Sequence, residues 1–242
     1  MTARTVLRIS GPDREKFLAG LLTRDVPASG LGYAALLTPQ GKYLADFITF
    51  RDDDACYLDI AADLAPALAQ RLNMYRLRSK VEIADAGLTV GRGTGDAPPD
   101  ALPDPRPGMG WRVYGGPGDD GTDRHALRVE ALVPAFGREL IPNESYILEM
   151  GFERLNGVDF RKGCYVGQEI VARMKHKTEL RKGLARITGP DLEPGAAITA
   201  GGRAVGTVHT VSRDRGLAYL RFDRAEGMEA AGHPVRLDIR GI

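Results

Sequence analysis

The stretch KGCYVGQE, residues 162–169, places the thiol of Cys164 beside a lysine and between two glycines, just before an amphipathic segment. Glycine adopts backbone conformations that are closed to residues with a Cβ, so this loop can turn sharply and approach a ligand closely. Lys162 and the N-terminus of a helix starting near Gly167 would both favour the Cys164 thiolate, which attacks electrophiles and binds soft metals. A buried, inert cysteine is the alternative. We predict a functional loop with Cys164 and Lys162 as its reactive pair.

The same octet resembles the KGCYxGQE motif of the YgfZ-type folate-binding proteins, which are relatives of the glycine-cleavage T-protein, an aminomethyltransferase. The continuation IVARM at 170–174 is similar too. The amino-terminal half carries further segments in the order typical of that family: GPD at 11–13, FL at 17–18, GLLT at 20–23 and LTPQGK at 37–42. The resemblance spans most of the chain. It implies a protein that binds tetrahydrofolate, or a one-carbon derivative, in a central cavity and supports assembly or repair of iron-sulfur clusters in client proteins.

Composition sets the class of protein. The chain has 242 residues, 43% of them hydrophobic, and a formal net charge of +1, so we expect a globular protein with no general attraction to nucleic acid. Its two cysteines, Cys56 and Cys164, are too few for a disulfide framework or a four-cysteine cluster site, and the histidines show no metal-ligand spacing. No apolar run is long enough to span a bilayer, and the first residues lack the core of a signal peptide. We predict a cytoplasmic protein without a metal site or a membrane partner.

Short apolar segments separated by turn residues predict an α+β fold of mixed, mostly antiparallel sheets with helices. Predicted strands lie at 5–9, 32–37, 43–50, 56–60, 81–83, 88–90 and 111–114, and predicted helices follow residue 13, contain leucines 64, 68 and 72, and cover 123–132. The Gly-, Pro- and Asp-rich region 91–123 is expected to be a loop-rich excursion. Glycine-punctuated strands after residue 181 predict a small C-terminal β-barrel. We therefore expect a T-protein-like folate-binding region at 1–180, with a possible break into two subdomains near 91–123, and a barrel-like domain at 181–242.

The segment RVEA at 128–131 resembles the Arg-x-Glu-Ala segment of the T-protein family, in which the glutamate holds the pterin of the folate. A carboxylate accepts two hydrogen bonds from the amino-pyrimidine edge of a pterin in fork geometry. The resemblance implies that Glu130 grips the pterin, with Arg128 orienting it or touching the ligand. An ordinary solvated pair on a helix face is the alternative interpretation.

Asp46 lies where T-proteins carry two neighbouring aspartates, one of them catalytic, whereas this chain has Ala45 before Asp46. One acid of the pair is missing, and the residues leave open which of the two aspartates Asp46 matches. Loss of the catalytic acid would remove general acid or base assistance worth roughly 10²-fold or more, so the resemblance favours a maturation factor over a transferase. Two rivals stay open. One is a folate-dependent aminomethyl transferase with Asp46 as its catalytic acid or base, and the other is a folate-binding module for RNA modification.

Further ligand contacts are expected around the cysteine motif. Basic residues near 173–182 form either a solvated face, an RNA-binding patch or an attraction for the anionic glutamate tail of a folate. Because this segment has no interleaved aromatic residues, base stacking and hence nucleic-acid binding are disfavoured. The side chains expected to contact the cofactor here are Tyr165, Gln168, Glu169 and Arg173.

Overall fold

The computed structural model describes residues 3–177 and 179–242. Its first layer is a five-stranded antiparallel sheet in the order β2-β3-β4-β1-β5, with two helices on one face. The elements of this layer are β1 (Arg4–Ser10), α1 (Arg14–Ala19), β2 (Gly32–Leu37), β3 (Tyr43–Arg51), β4 (Ala55–Ala61), α2 (Ala65–Arg76) and β5 (Glu82–Asp85). The strands predicted at 32–37 and 43–50 pair with each other, and the strand predicted at 5–9 leads into the helix predicted after residue 13. Gly41, in the turn between β2 and β3, has a positive φ of 72°.

Both faces of this sheet are buried, as the alternation of side chains along β2 illustrates. Ala34 and Leu36 join a core that lies beneath α1 and α2. Tyr33, Ala35 and Leu37 face the opposite way, into a second core built with residues 129–158 and the helix α4 (Gln168–Lys177). Since strand side chains alternate between faces, one continuous apolar strand supplies both cores.

A bulge in β3 changes which side chains face the second core. Leu36 pairs with Ala45 and Leu37 pairs with Tyr43, so one residue of β3 has no partner in β2. In a regular strand Tyr43 and Asp46, three residues apart, would point to opposite faces. The bulge brings them to the same face, which is a common use of bulges beside functional sites.

The region predicted as a loop-rich excursion is more ordered than expected. Three short strands, β6 (Val90–Gly93), β7 (Leu102–Pro103) and β8 (Trp111–Tyr114), form a small antiparallel sheet in the order β6-β8-β7. Trp111 and Val113 of β8 are buried, and the charged Arg112 between them is buried as well. Pairing of β8 with two neighbours and an ion pair from Arg112 to the first sheet therefore hold this region in place.

The remaining strands form a seven-stranded antiparallel sheet in the order β14-β13-β10-β11-β12-β9-β15 around a core of its own. The helix α3 (Arg124–Glu130) packs against this sheet at β11. The strands are β9 (Lys182–Thr188), β10 (Ala197–Ala200), β11 (Arg203–Ser212), β12 (Arg215–Arg221), β13 (Met228–Ala230), β14 (His233–Pro234) and β15 (Arg236–Arg240). Across the part of the chain that the structure describes, no helix has both the length and the apolar character needed to cross a membrane.

Candidate functional site

A cavity of about 430 Å³ lies between the first sheet, the small sheet β6-β8-β7 and α3. Its apolar wall includes Met109, Val133 and Phe136, and the carboxylates on its lining are Asp46 and Asp63. The rest of its charge comes from arginines: Arg4, Arg92, Arg106, Arg112, Arg124, Arg128 and Arg138. A pocket with this excess of positive charge attracts a ligand that carries several negative charges.

Buried ion pairs build one wall of the cavity. Arg112 donates from Nη1 to Asp59 Oδ2 at 2.5 Å and from Nε to Asp104 Oδ2 at 2.7 Å. Arg4 also binds Asp59, and Arg106 also binds Asp104. Burial alone would raise the pKa of both carboxyls, but the charges of the neighbouring arginines outweigh burial, so each pKa lies below its ordinary value. The network thus consists of ionised partners that tie β8 to β4.

Asp46 presents its carboxylate to the cavity from the bulged strand β3. Tyr43 donates its hydroxyl to Asp46 Oδ1 at 2.7 Å, and Tyr33 donates to Oδ2 at 3.0 Å. Burial, followed by the negative charge of Asp46, raises the pKa of both tyrosines, so both hydroxyls remain donors at neutral pH. Ala45 faces the core beneath the helices instead. An acid at position 45 would therefore point away from the cavity, and Asp46 is the residue of this pair that a bound ligand can meet.

Arg128 lies on the cavity wall as part of a second buried network. It donates to Glu139 Oε2 at 2.7 Å and to Thr210 Oγ1 of β11 at 2.7 Å. Thr210 in turn donates to Glu139, whose side chain is fully buried. Arg128 thus joins α3 to the C-terminal sheet and is only partly free to contact a ligand.

The prediction that Glu130 grips a ligand in the cavity needs correction. Glu130 is exposed and lies outside the cavity lining. Its carboxylate pairs with Arg186 of β9 at 3.1 Å and with Arg215 of β12. Because α3 turns by about 100° per residue, the face that carries Arg124 and Arg128 to the cavity turns Glu130 toward the C-terminal sheet.

Lys162 anchors the cysteine loop to α1. Its ammonium donates to the carbonyl oxygens of Ala19 at 2.8 Å and Leu22 at 2.7 Å, and it pairs with Asp25 at 2.9 Å. An ammonium has three N–H donors, and these contacts use all of them. These contacts give Lys162 a structural role in holding the loop, while its role as the cation that favours the Cys164 thiolate stays a prediction.

Gly41 and Gly167, which are far apart in the sequence, contact each other in the structure. A Cβ on Gly167 would lie 2.6 Å from the carbonyl oxygen of Thr38, and a Cβ on Gly41 would lie 2.7 Å from the Cβ of Ile170. Both glycines also have positive φ, 84° and 72°. The LTPQGK turn and the end of the cysteine loop therefore fit against each other only because both positions lack a side chain.

Within this fixed frame the motif residues divide into buried and exposed groups. Tyr165 is buried in the second core, and Cys164 is exposed. Gln168 begins α4, and Glu169 and Arg173 form an exposed pair one helical turn apart, at 2.7 Å. The described residues that line the cavity include none of these five. The structure thus separates the cysteine loop from the cavity, whereas the sequence-based interpretation placed both in contact with the same ligand. Lys177 belongs to the basic segment 173–182, and its side chain lies outside the described residues.

We predict that alkylation distinguishes the two thiols. Cys164 is exposed, whereas Cys56 is fully buried in β4, and burial, with a further contribution from Glu15, raises the pKa of Cys56. Iodoacetamide should label Cys164 in the folded protein, and Cys56 should react only after denaturation. Peptide mass spectrometry during a time course measures both rates. Faster labelling of Cys56 in the folded state would show that the exposures assigned here are reversed.

Several residues that line the cavity or bind its lining were absent from the sequence-based site: Arg112 and Arg124 on the lining, and behind it Asp59, Asp104 and the two tyrosines that bind Asp46. The sequence does hold a pattern that indicates two of these residues, Asp59 and Arg112. Asp59 and Arg112 each interrupt an otherwise apolar strand, in ACYLDIA and WRVY. Charged residues are almost never fully buried without a partner, so such an interruption predicts a buried ion pair.

The chain is similar to a described domain family and to proteins with a named role. Residues 181–241 match a family model described as the CAF17 C-terminal beta-barrel domain. The chain is 31% identical to the mitochondrial iron-sulfur cluster assembly factor IBA57 of Homo sapiens, over 94% of this chain and 78% of that protein. It is 32% identical to the mitochondrial IBA57 homolog of Neurospora crassa, over 75% of this chain and 51% of that protein.

A solved structure shares the fold. The glycine cleavage system aminomethyltransferase T from Bartonella henselae superposes with a TM-score of 0.70, covering 99% of this chain and 84% of that one at 13% identity. Together with the barrel match, this confirms the predicted fold class. The expectation of a cytoplasmic location is contradicted, because the relatives from Homo sapiens and Neurospora crassa are named as mitochondrial proteins.

Proposed function

The chain belongs to the family of the iron-sulfur cluster assembly factor IBA57, and on that premise we propose that it serves iron-sulfur client or assembly proteins through Cys164 while binding a reduced folate in the arginine-lined cavity. The observation that carries the proposal is the exposure of Cys164 on a loop held by buried anchors. The YgfZ-type label, with domains at 1–180 and 181–242, remains a prediction.

The position of Cys164 favours chemistry with a protein partner. The thiol is exposed and lies apart from the cavity, so a one-carbon adduct formed with a cavity-bound folate is disfavoured. Among residues 3–177 and 179–242 no group of three or more His, Cys, Asp or Glu side chains could hold a metal ion. An iron-sulfur cluster needs about four ligands. Cys164 would therefore supply one thiolate to a cluster or sulfur species whose other ligands belong to the partner protein.

The cavity suits a reduced folate as its ligand. Its volume of about 430 Å³ falls in the range of about 300–1,000 Å³ that small-molecule sites occupy. Asp46 offers a carboxylate to the amino-pyrimidine edge of the pterin, and the neighbouring apolar wall offers a surface for the ring. Tetrahydrofolate would supply a carrier for one-carbon units. We therefore assign the pterin to Asp46 and the apolar side chains rather than to Glu130, whose carboxylate is paired with Arg186 and Arg215.

One observation favours the transferase alternative. Asp46 faces the cavity with its orientation fixed by two tyrosines, as a catalytic acid or base would. Turnover of tetrahydrofolate with an aminomethyl donor and the partner proteins of glycine cleavage would establish that reading. The absence of turnover, with folate binding intact, would favour the maturation factor.

We predict that Asp46→Asn weakens tetrahydrofolate binding by about 10- to 100-fold, because hydrogen bonds to a charged partner contribute about 1.5–3 kcal/mol. Glu130→Gln is the matched control, since it removes one carboxylate charge outside the cavity. It should leave the affinity unchanged. Isothermal titration calorimetry under anaerobic conditions measures both. Loss of binding in Glu130→Gln, with Asp46→Asn unaffected, would mean that Glu130 and not Asp46 binds the pterin. If the wild type shows no saturation at millimolar ligand, folate binding is refuted.

A further inference from the structure

Arg124 differs from the other cavity arginines because its charge is buried without compensation. The side chain is 7% exposed, and its Nη1 is buried with no hydrogen-bond partner in the described ranges, 3–177 and 179–242. A buried charge without a partner is costly, and native proteins rarely keep one without a reason. Arg124 also lines the cavity, so a ligand bound there would lie beside its side chain.

The charged residues around Arg124 do not supply the negative partner that it lacks. Arg92 is paired with Asp119, and Arg106 and Arg112 share Asp104. These acids therefore already serve other arginines. Burial, and then the positive charges of Arg112, Arg92 and Arg106, lower the pKa of Arg124 to about 10, which still leaves it charged at neutral pH. Arg124 thus adds a further positive charge to a side of the cavity where the nearby acids are already paired with other arginines.

We infer that the cavity is built to hold an oxyanion, a carboxylate or phosphate group of its ligand, and that Arg124 is the residue that binds it. A guanidinium matches such a group because its planar fork donates two parallel hydrogen bonds. The inference deepens the proposed function and rests on it for the identity of the group: in a folate, the oxyanions are the carboxylates of the glutamate tail. Asp46 and Arg124 would then recognise the two ends of one ligand.

Thermal unfolding of Arg124→Met separates this role from a structural one. Methionine keeps much of the side-chain volume and removes a charge that makes no protein hydrogen bond at Nη1. The ligand-free variant should therefore have a melting temperature equal to or above that of the wild type. Arg138→Met, which removes an exposed arginine from the same cavity lining, is the matched control. A melting temperature of Arg124→Met several degrees below that of the control would make Arg124 structural and overturn the inference.

Binding of three probes then identifies the oxyanion. Tetrahydrofolate should bind Arg124→Met about 10- to 100-fold more weakly than the wild type, while 6-methyltetrahydropterin, which has the pterin ring but no carboxylate, should bind both equally. Inorganic phosphate is the third probe. If it stabilises the wild type and not Arg124→Met while no folate binds, the oxyanion site stands and the folate proposal fails. If Arg124→Met and Arg138→Met respond alike to every probe, or 6-methyltetrahydropterin suffers the same loss as tetrahydrofolate, the inference is wrong.

Discussion

Arg112→Met is expected to lower the free energy of unfolding by about 3–5 kcal/mol, the range for removing one partner of a buried ion pair. Arg112 is 2% exposed and bridges Asp59 and Asp104, so its loss leaves both carboxylates short of positive charge. Arg173→Met removes an arginine from an exposed pair and should change stability little. Urea denaturation followed by circular dichroism measures both. Equal losses in the two variants would mean that the buried network does not hold β8 to β4.

The same network predicts how stability depends on pH. The folded-state pKa values of Asp59 and Asp104 lie below the value of about 3.9 expected in the unfolded chain. Their stabilising contribution is therefore fully present above about pH 4 and is lost as the pH falls toward the lowered folded-state values. Wild-type stability should drop over this acid range. Arg112→Met should drop less steeply, because the contribution of Arg112 to both lowered pKa values is gone, although Arg4 still lowers the pKa of Asp59 and Arg106 that of Asp104.

The sequence predicted most of the first sheet and of the C-terminal strands because their short apolar segments are separated by turn residues and glycines. The bulge in β3 was not predictable in this manner, since it arises from pairing with β2 and leaves no mark in the composition of the strand. It nevertheless decides that Tyr43 and Asp46 meet. The local sequence pattern therefore predicts strand β3, whereas its pairing with β2 decides which of its side chains reach the cavity.

The site residues show the same division between local and long-range information. Asp59 and Arg112 are 53 positions apart, so their partnership depends on the docking of the small sheet. Glu130 was assigned by resemblance within a short segment, but its direction is set by Arg186 and Arg215, which lie 56 and 85 positions away. Exposure of Cys164 fits its predicted reactivity, whereas the anchoring role of Lys162 depends on α1, about 140 positions earlier.

Cys164→Ser is expected to abolish function while leaving the fold intact. The thiol is exposed, so exchanging sulfur for oxygen removes no core contact, and the loop keeps its anchors at Lys162, Tyr165 and Gly167. A serine hydroxyl is a poor substitute because the thiolate is the nucleophile and the metal ligand. Cys56→Ala is the matched control, since it removes the other thiol from a buried position. It should cost some stability and preserve function.

Complementation of cells that lack the gene tests this role of Cys164 most directly. The measurement is the activity of several iron-sulfur enzymes, relative to an enzyme without a cluster, at matched levels of wild type, Cys164→Ser and Cys56→Ala. We expect full restoration by the wild type and by Cys56→Ala, and activities with Cys164→Ser as low as those of the empty vector. Full restoration by Cys164→Ser would contradict it, because the motif would then serve only to hold the loop.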